Sequence, residues 1–118
     1  MIYLDNAATT ALSSAAIESM TQAMTVFGNP SSTHSHGREA KKLLRQARED
    51  IAKVLHTQSK NILFTSGGTE SNNTAIKGYA LRHQNQGKHI ITTAIEHHAV
   101  LEPVEYLVEH FGFEATII

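Results

Sequence analysis

The sequence predicts an α/β fold in which a helical N-terminal segment leads into a βαβαβ run. Three observations carry that reading. Short apolar runs of strand length (Ile62 to Thr65, His89 to Thr93, Phe113 to Ile118) alternate with stretches of helical periodicity. Glycine and proline punctuate the joins. The helical stretches between the runs have the length of crossovers joining parallel strands, which are right-handed.

Taken in order, Ile2 to Leu4 is a short extended segment ended by Asp5-Asn6, and Ala7 to Thr10 continue it as an irregular arm. Ser13 or Ser14 can cap a helix running to about Phe27, with Ala16, Ile17, Met20, Met24 and Phe27 on one side. Gly28-Asn29-Pro30-Ser31-Ser32 is a loop, and His34 and His36 fall in the same loop after Pro30. The next helix has the strongest pattern. Ala40, Leu43, Leu44, Ala47, Ile51, Val54 and Leu55 recur at helical spacing, which implies packing against a larger body. Lys41, Lys42, Arg45, Arg48, Glu49 and Lys53 take its other faces, and read as a solvated surface before a binding one.

After the first strand a helix is expected from about Thr69 to His83, with Ala75, Ile76, Tyr79 and Ala80 turned inward and Gln86-Gly87 closing it. The second strand is followed by Glu96-His97-His98. A fourth helix then carries Pro103 in its first turn and buries Val104, Leu107, Val108 and Phe111, with Gly112 as its stop. The third strand runs to Ile117-Ile118 with no turn after it. An apolar strand that simply stops implies missing chain, and a sheet of so few strands leaves an edge uncovered.

Composition narrows the function classes. At 118 residues the chain has single-domain size. Its net charge is −1 with no basic block, so nothing in it recruits nucleic acid or an anionic membrane. No apolar run approaches membrane-spanning length, and the N-terminus has no signal-peptide pattern. Cysteine is absent, which removes disulfides and thiolate metal sites and is compatible with a cytoplasmic location.

The chemistry concentrates at two strand ends, where parallel α/β sheets gather ligands. Asn61 to Asn73 reads as a strand, a Gly67-Gly68 turn and a helix start. Unpaired N–H groups and the positive end of the helix dipole make that junction a seat for an anion, most often phosphate, to which the Thr69 hydroxyl can add a donor. The same diglycine also serves ordinary strand-to-helix turns, and it is neither a Walker A loop nor a GxGxxG fingerprint. At the second strand end His97 offers a flat imidazole that can stack on an aromatic ring and move protons near neutral pH. A phosphate plus a stacked ring describes pyridoxal phosphate, although a nucleotide fits the same outline.

Eight histidines raise the question of metal. His97 and His98 with His34 and His36 could supply ligands, but there is no HExxH motif, no cysteine and no suitably spaced carboxylate, so no metal is expected. His56, His83, His89 and His110 read as structural or solvated.

Four ordered motifs go further. Tyr3-Leu4-Asp5-Asn6-Ala7-Ala8-Thr9-Thr10, Phe27-Gly28-Asn29-Pro30-Ser31-Ser32, Phe64-Thr65-Ser66-Gly67-Gly68-Thr69-Glu70-Ser71-Asn72, and Lys88 to Thr92 with Glu96-His97-His98-Ala99-Val100-Leu101 closely resemble the N-terminal part of NifS/IscS-type cysteine desulfurases. These belong to the class V aminotransferase group of fold-type I pyridoxal phosphate enzymes, and the resemblance covers essentially the whole chain. The Gly-Gly-Thr-Glu-Ser form is similar to the NifS/IscS branch more than to the SufS-like one.

The resemblance implies an incomplete fold-type I PLP-dependent transferase. Residues 1–12 would be an arm belonging with the small domain, and 13–118 the first part of the large PLP-binding domain. The turn matching Gly68 and Thr69 would hold the cofactor phosphate, and the position matching His97 would stack on the pyridine ring and serve in acid–base catalysis. The segment matching Asp5 to Thr10 would lie near the active-site mouth, bringing Asn6 and Thr9 toward substrate. In the family the strand matching Ile62 to Thr65 pairs with a strand outside this sequence, so the sheet here should be broken or rearranged.

Much of the family's machinery has no counterpart in the sequence. The Schiff-base lysine in its Ser-x-His-Lys context, the aspartate on the pyridine nitrogen, the substrate-binding arginine and the mobile-loop cysteine that accepts sulfur are all missing, and Lys88 sits before a strand where it cannot replace the lysine. In such enzymes L-cysteine yields L-alanine while its sulfur passes to the enzyme as persulfide. The sulfur goes on to an iron–sulfur scaffold or a tRNA-thiolation protein, and the enzymes are homodimers. The expectation is therefore an N-terminal part of a cysteine desulfurase, inactive alone. The alternatives are another class V enzyme such as a selenocysteine lyase, or a non-catalytic remnant serving as an interaction module.

Overall fold

The computed structural model describes residues 2–118. The chain divides into two compact units, one ending at Leu63 and the other spanning Phe64–Ile118.

The first unit opens with a turn. The Tyr3 hydroxyl donates to the carbonyls of Asp5 and Thr9 at 2.9 and 3.1 Å, and the Ala8 N–H closes back on Asp5. Helix α1 is Ser14–Met24, with Ser13 as N-cap accepting from the Ala16 N–H at 3.2 Å. It stops three residues short of the expected Phe27. The Thr25 hydroxyl donates to the Gln22 carbonyl at 2.7 Å and closes the final turn. No α1 residue is buried, and Met24 and Phe27 are 80% and 82% exposed, so its apolar stripe is uncovered.

Helix α2 is Ser35–Val54. Its start lies earlier than the apolar pattern indicated, so His36 is in the first helical turn and not in a loop. His34 is the N-cap, its Nδ1 accepting from the Gly37 N–H at 3.3 Å. Two glycines explain the early start. A Cβ on Gly28 would lie 2.3 Å from the His36 carbonyl oxygen, and one on Gly37 would lie 2.4 Å from that of Ser32. The loop is thus seated directly on the helix start, and an Asx turn at Asn29 shapes it. Along α2 only Gly37, Ala40 and Ala52 are buried, while Leu43, Leu44 and Ile51 stay partly open. A 3₁₀ turn, Ser59–Asn61, packs back on α2.

The expected strand at Ile62 to Thr65 does not form. Ile62 has extended geometry (φ −94°, ψ 117°), but the segment has no ladder partner among the described residues. The βαβαβ pattern is therefore reduced to a helix followed by one βαβ unit, as a sheet lacking the pairing strand requires.

In the second unit, helix α3 is Gly68–His83, strand β1 is His89–Thr92, helix α4 is His98–Phe111 and strand β2 is Glu114–Ile117. The strands pair in parallel with His89 opposite Glu114 and Thr92 opposite Ile117. Ala99, Pro103, Val104, Leu107 and Phe113 form the core, with Leu107 at 0% exposure. α3 packs on α4, where the Lys77 ammonium stands 4.0 Å from the Tyr106 ring centroid.

Three expectations fail in this unit. The first is Val108, expected to be buried on α4 but 38% exposed because it lies beside the Leu107 face and not on it. Pro103 lies in the second turn of α4, not the first, because the helix starts at His98. A proline there forfeits the bond to the Ala99 carbonyl, and its buried ring contributes packing in return. On α3, Ile76 and Ala80 are half-buried as expected, but Ala75 is exposed and Tyr79 is 70% exposed. The Tyr79 ring stacks instead on His83 along the helix surface at 4.4 Å between centroids. α4 ends at Gly112 in the left-handed conformation (φ 66°), and the Lys88 ammonium donates to the Phe111 carbonyl at 2.7 Å.

Among the described residues no helix is long and apolar enough to cross a membrane, and no three His, Asp or Glu side chains are grouped to hold a metal ion.

Candidate cofactor-phosphate site

The turn before α3 is ordered by its own side chains. The Thr65 hydroxyl lies 3.2 Å from the Gly67 carbonyl and 2.6 Å from the Ser71 hydroxyl. The Glu70 carboxylate reaches back to accept from the Ser66 N–H at 2.7 Å and the Ser66 hydroxyl at 2.6 Å. Those bonds, the hydroxyl first and the N–H second, hold the Glu70 carboxyl below the usual carboxylate range. A carboxylate in the first turn also complements the helix dipole.

The bonding leaves the helix start itself open. Gly67 is the N-cap, has extended backbone and offers no side-chain cap. The first intrahelical bond runs from the Ser71 N–H to the Gly67 carbonyl, and the N–H groups of Gly68, Thr69 and Glu70 precede it in the first turn, where an α-helix supplies no acceptor of its own. A Cβ added at Gly67 or Gly68 would meet nothing within 4 Å. These glycines therefore do not relieve crowding, unlike Gly28 and Gly37. They keep clear a space lined by first-turn N–H donors, which fits a phosphate ester.

His97 is the N-cap of α4. Its Nδ1 accepts from the Ala99 N–H at 3.1 Å, which leaves Nε2 to carry the proton of the neutral ring. The ring is exposed and meets His98 edge-on, with centroids 5.8 Å apart. Its orientation is fixed by the cap while one N–H edge faces outward. Gly68 and Thr69 share one helical turn, and His97 begins the helix that packs on theirs.

Sequence reasoning missed the Ser66–Glu70 and Thr65–Ser71 pairs and the capping role of His97. A serine before the diglycine with a glutamate in the next helical turn was a visible signal for the first. Nothing in the spacing marked a histidine as a cap.

A helix start after a strand-like segment, feeding a parallel βαβ unit, defines an α/β architecture. The chain belongs to the aminotransferase class-V family, whose model matches residues 2–118. Members of this family are in general PLP-dependent. The chain is 53% identical over 118 residues to "Cysteine desulfurase IscS" of Dictyoglomus turgidum, covering 99% of this chain and 30% of that protein. Among solved structures it is similar to a "NIFS-like protein" (TM-score 0.85, 40% identity, 96% of this chain and 31% of that one). It is also similar to "SspA in complex with cysteine" (TM-score 0.81, 40% identity, 95% of this chain and 32% of that one). The chain thus spans about 30% of the length of the curated relative.

Proposed function

We propose that this chain is the N-terminal portion of a PLP-dependent cysteine desulfurase and holds part of the cofactor site. The observation that carries the reading is the uncapped, unobstructed start of α3 at Gly67-Gly68-Thr69. When bound, pyridoxal phosphate supplies an electron sink for bond cleavage at the substrate amino acid. The chain's own residues bind and orient. The Gly68 and Thr69 N–H groups with the Thr69 hydroxyl take the phosphate, and His97 offers its ring face and the Nε2 proton. The cap on Nδ1 keeps that ring from turning.

The same chain lacks the covalent partners of the reaction. It has no cysteine to receive sulfur. Of the two lysines in Phe64–Ile118, Lys77 stands over Tyr106 and Lys88 is bonded to the carbonyl that ends α4. That end lies some 20 Å along the helix from His97, taking about 1.5 Å per residue. By itself the chain is proposed to bind cofactor without reacting. In the complete protein L-cysteine is the substrate, an iron–sulfur scaffold or tRNA-thiolation protein accepts the sulfur, a homodimer forms, and the location is cytoplasmic. On the same reading residues 1–12 belong with the small domain and 13–118 with the large one.

Titration with pyridoxal phosphate, followed by visible absorbance and by mass spectrometry after borohydride reduction, tests this. The expected result is phosphate-dependent, non-covalent binding that pyridoxal does not reproduce, with no sulfide released from cysteine. Equal binding of pyridoxal, a reduced adduct on Lys77 or Lys88, or sulfide release would overturn it.

A further inference from the structure

The exposed side of α2 carries a second feature. Arg38, Lys41, Lys42, Arg45 and Arg48 follow one another at intervals of three, one, three and three residues, which puts them on one stripe of the helix. With Leu44, Pro30 and Ser31 they line a groove of about 710 Å³ in which no carboxylate takes part.

Like charges three and four residues apart weaken a helix, so a stripe of this kind opposes its own folding. Glu49 meets Arg45 at 3.6 Å, while Asp50 is taken up by Lys53 and Gln46 away from the groove. The groove is also shaped. The Arg38 guanidinium donates to the Thr33 carbonyl and is thereby tied to the loop that walls one side. Leu44 and Pro30 give it an apolar component.

We propose that this groove docks an acidic segment of a partner protein that carries an apolar side chain beside its carboxylates. Charge complementarity selects the sign. The choice of a protein over nucleic acid rests on two observations. The groove has no aromatic side chain on which a base could stack, and the chain as a whole carries a net charge of −1. From Arg38 to Arg48 the stripe is about 15 Å long, which matches about three turns of an acidic helix.

The test uses the full chain and a fluorescein-labelled helical peptide of about twelve residues, with glutamates at three- and four-residue spacing around one leucine. Anisotropy should show saturable binding that weakens as salt rises, and a glutamine-for-glutamate peptide should bind at least roughly tenfold more weakly. The double variant Lys41→Glu with Lys42→Glu should lose binding by a similar factor of about ten while retaining its helical circular dichroism, because each new glutamate can pair along the helix with an arginine. If that variant does not fold, Lys41→Gln with Lys42→Gln provides the same reading. Absence of binding, indifference to the charge change, or equal binding of the glutamine peptide would overturn the proposal. Tighter binding of a single-stranded oligonucleotide of equal charge, lost in the same variant, would overturn the choice of partner. Failure of pyridoxal phosphate to bind would count against the cofactor site alone and leave this groove untouched.

Discussion

The two compact units solve the same problem with unequal success. In Phe64–Ile118 a strand, a helix and a parallel strand return the chain onto itself, and Leu107 is entirely removed from water. In the unit ending at Leu63, α1 has no buried residue and α2 buries only a glycine and two alanines. Helical periodicity is as clear in α2 as in α4, so amphipathic pattern alone does not make a core. A returning partner of the same chain does.

Four experiments test that contrast. The largest effect is expected at Leu107→Ala, where loss of a fully buried side chain costs about 2–5 kcal/mol. Denaturant melts and amide exchange should show that loss in β1, α4 and β2, whereas Ile17→Ala on exposed α1 should change little. Next is a glycine pair. Gly37→Ala drives a Cβ against the Ser32 carbonyl oxygen and should cost about 1–3 kcal/mol. Gly68→Ala enters open space and should leave stability within about 1 kcal/mol, at the same time weakening pyridoxal phosphate binding in the titration.

The third experiment compares caps. Ser13→Ala and His97→Ala each remove a side-chain acceptor from a helix start and should cost about 1 kcal/mol or less, read by thermal melts. The smallest effect is at Glu70. Its carboxyl is held low in the folded chain, so the Ser66 bonds stabilise the fold above the ordinary carboxylate pKa, and that contribution fades as pH falls through the lowered one. Ser66→Ala should raise the Glu70 pKa in an NMR titration by removing the hydroxyl bond. An unchanged titration would sink that assignment.

The second unit was the more legible in sequence. The β1 and β2 segments, the Gly112 stop and the inward Val104 and Leu107 all follow from apolar spacing, because here the pattern meets a partner within the chain. The strand expected at Ile62 to Thr65 could not form on apolar content alone, since a strand is defined by its neighbour. The start of α2 was misplaced because the cue lies in contact and not in periodicity. Gly28 and Gly37 are nine residues apart, yet each is fitted to the backbone of the other's segment. Near the candidate site, the helix start at Gly68 and Thr69 could be read from turn chemistry and helix polarity. The carboxylate and hydroxyl bonds that order the turn depend on rotamers that no spacing encodes.

The Lys88 ammonium on the Phe111 carbonyl fastens the residue just before β1 to the end of the helix that follows the strand. Acylation of that amine would remove its charge and free the C-terminal end of α4 from the segment before β1, whereas reductive methylation, which keeps the charge, would leave them joined. Limited trypsin digestion of the two modified forms would separate these outcomes, with faster cleavage at Arg82 expected only after acylation.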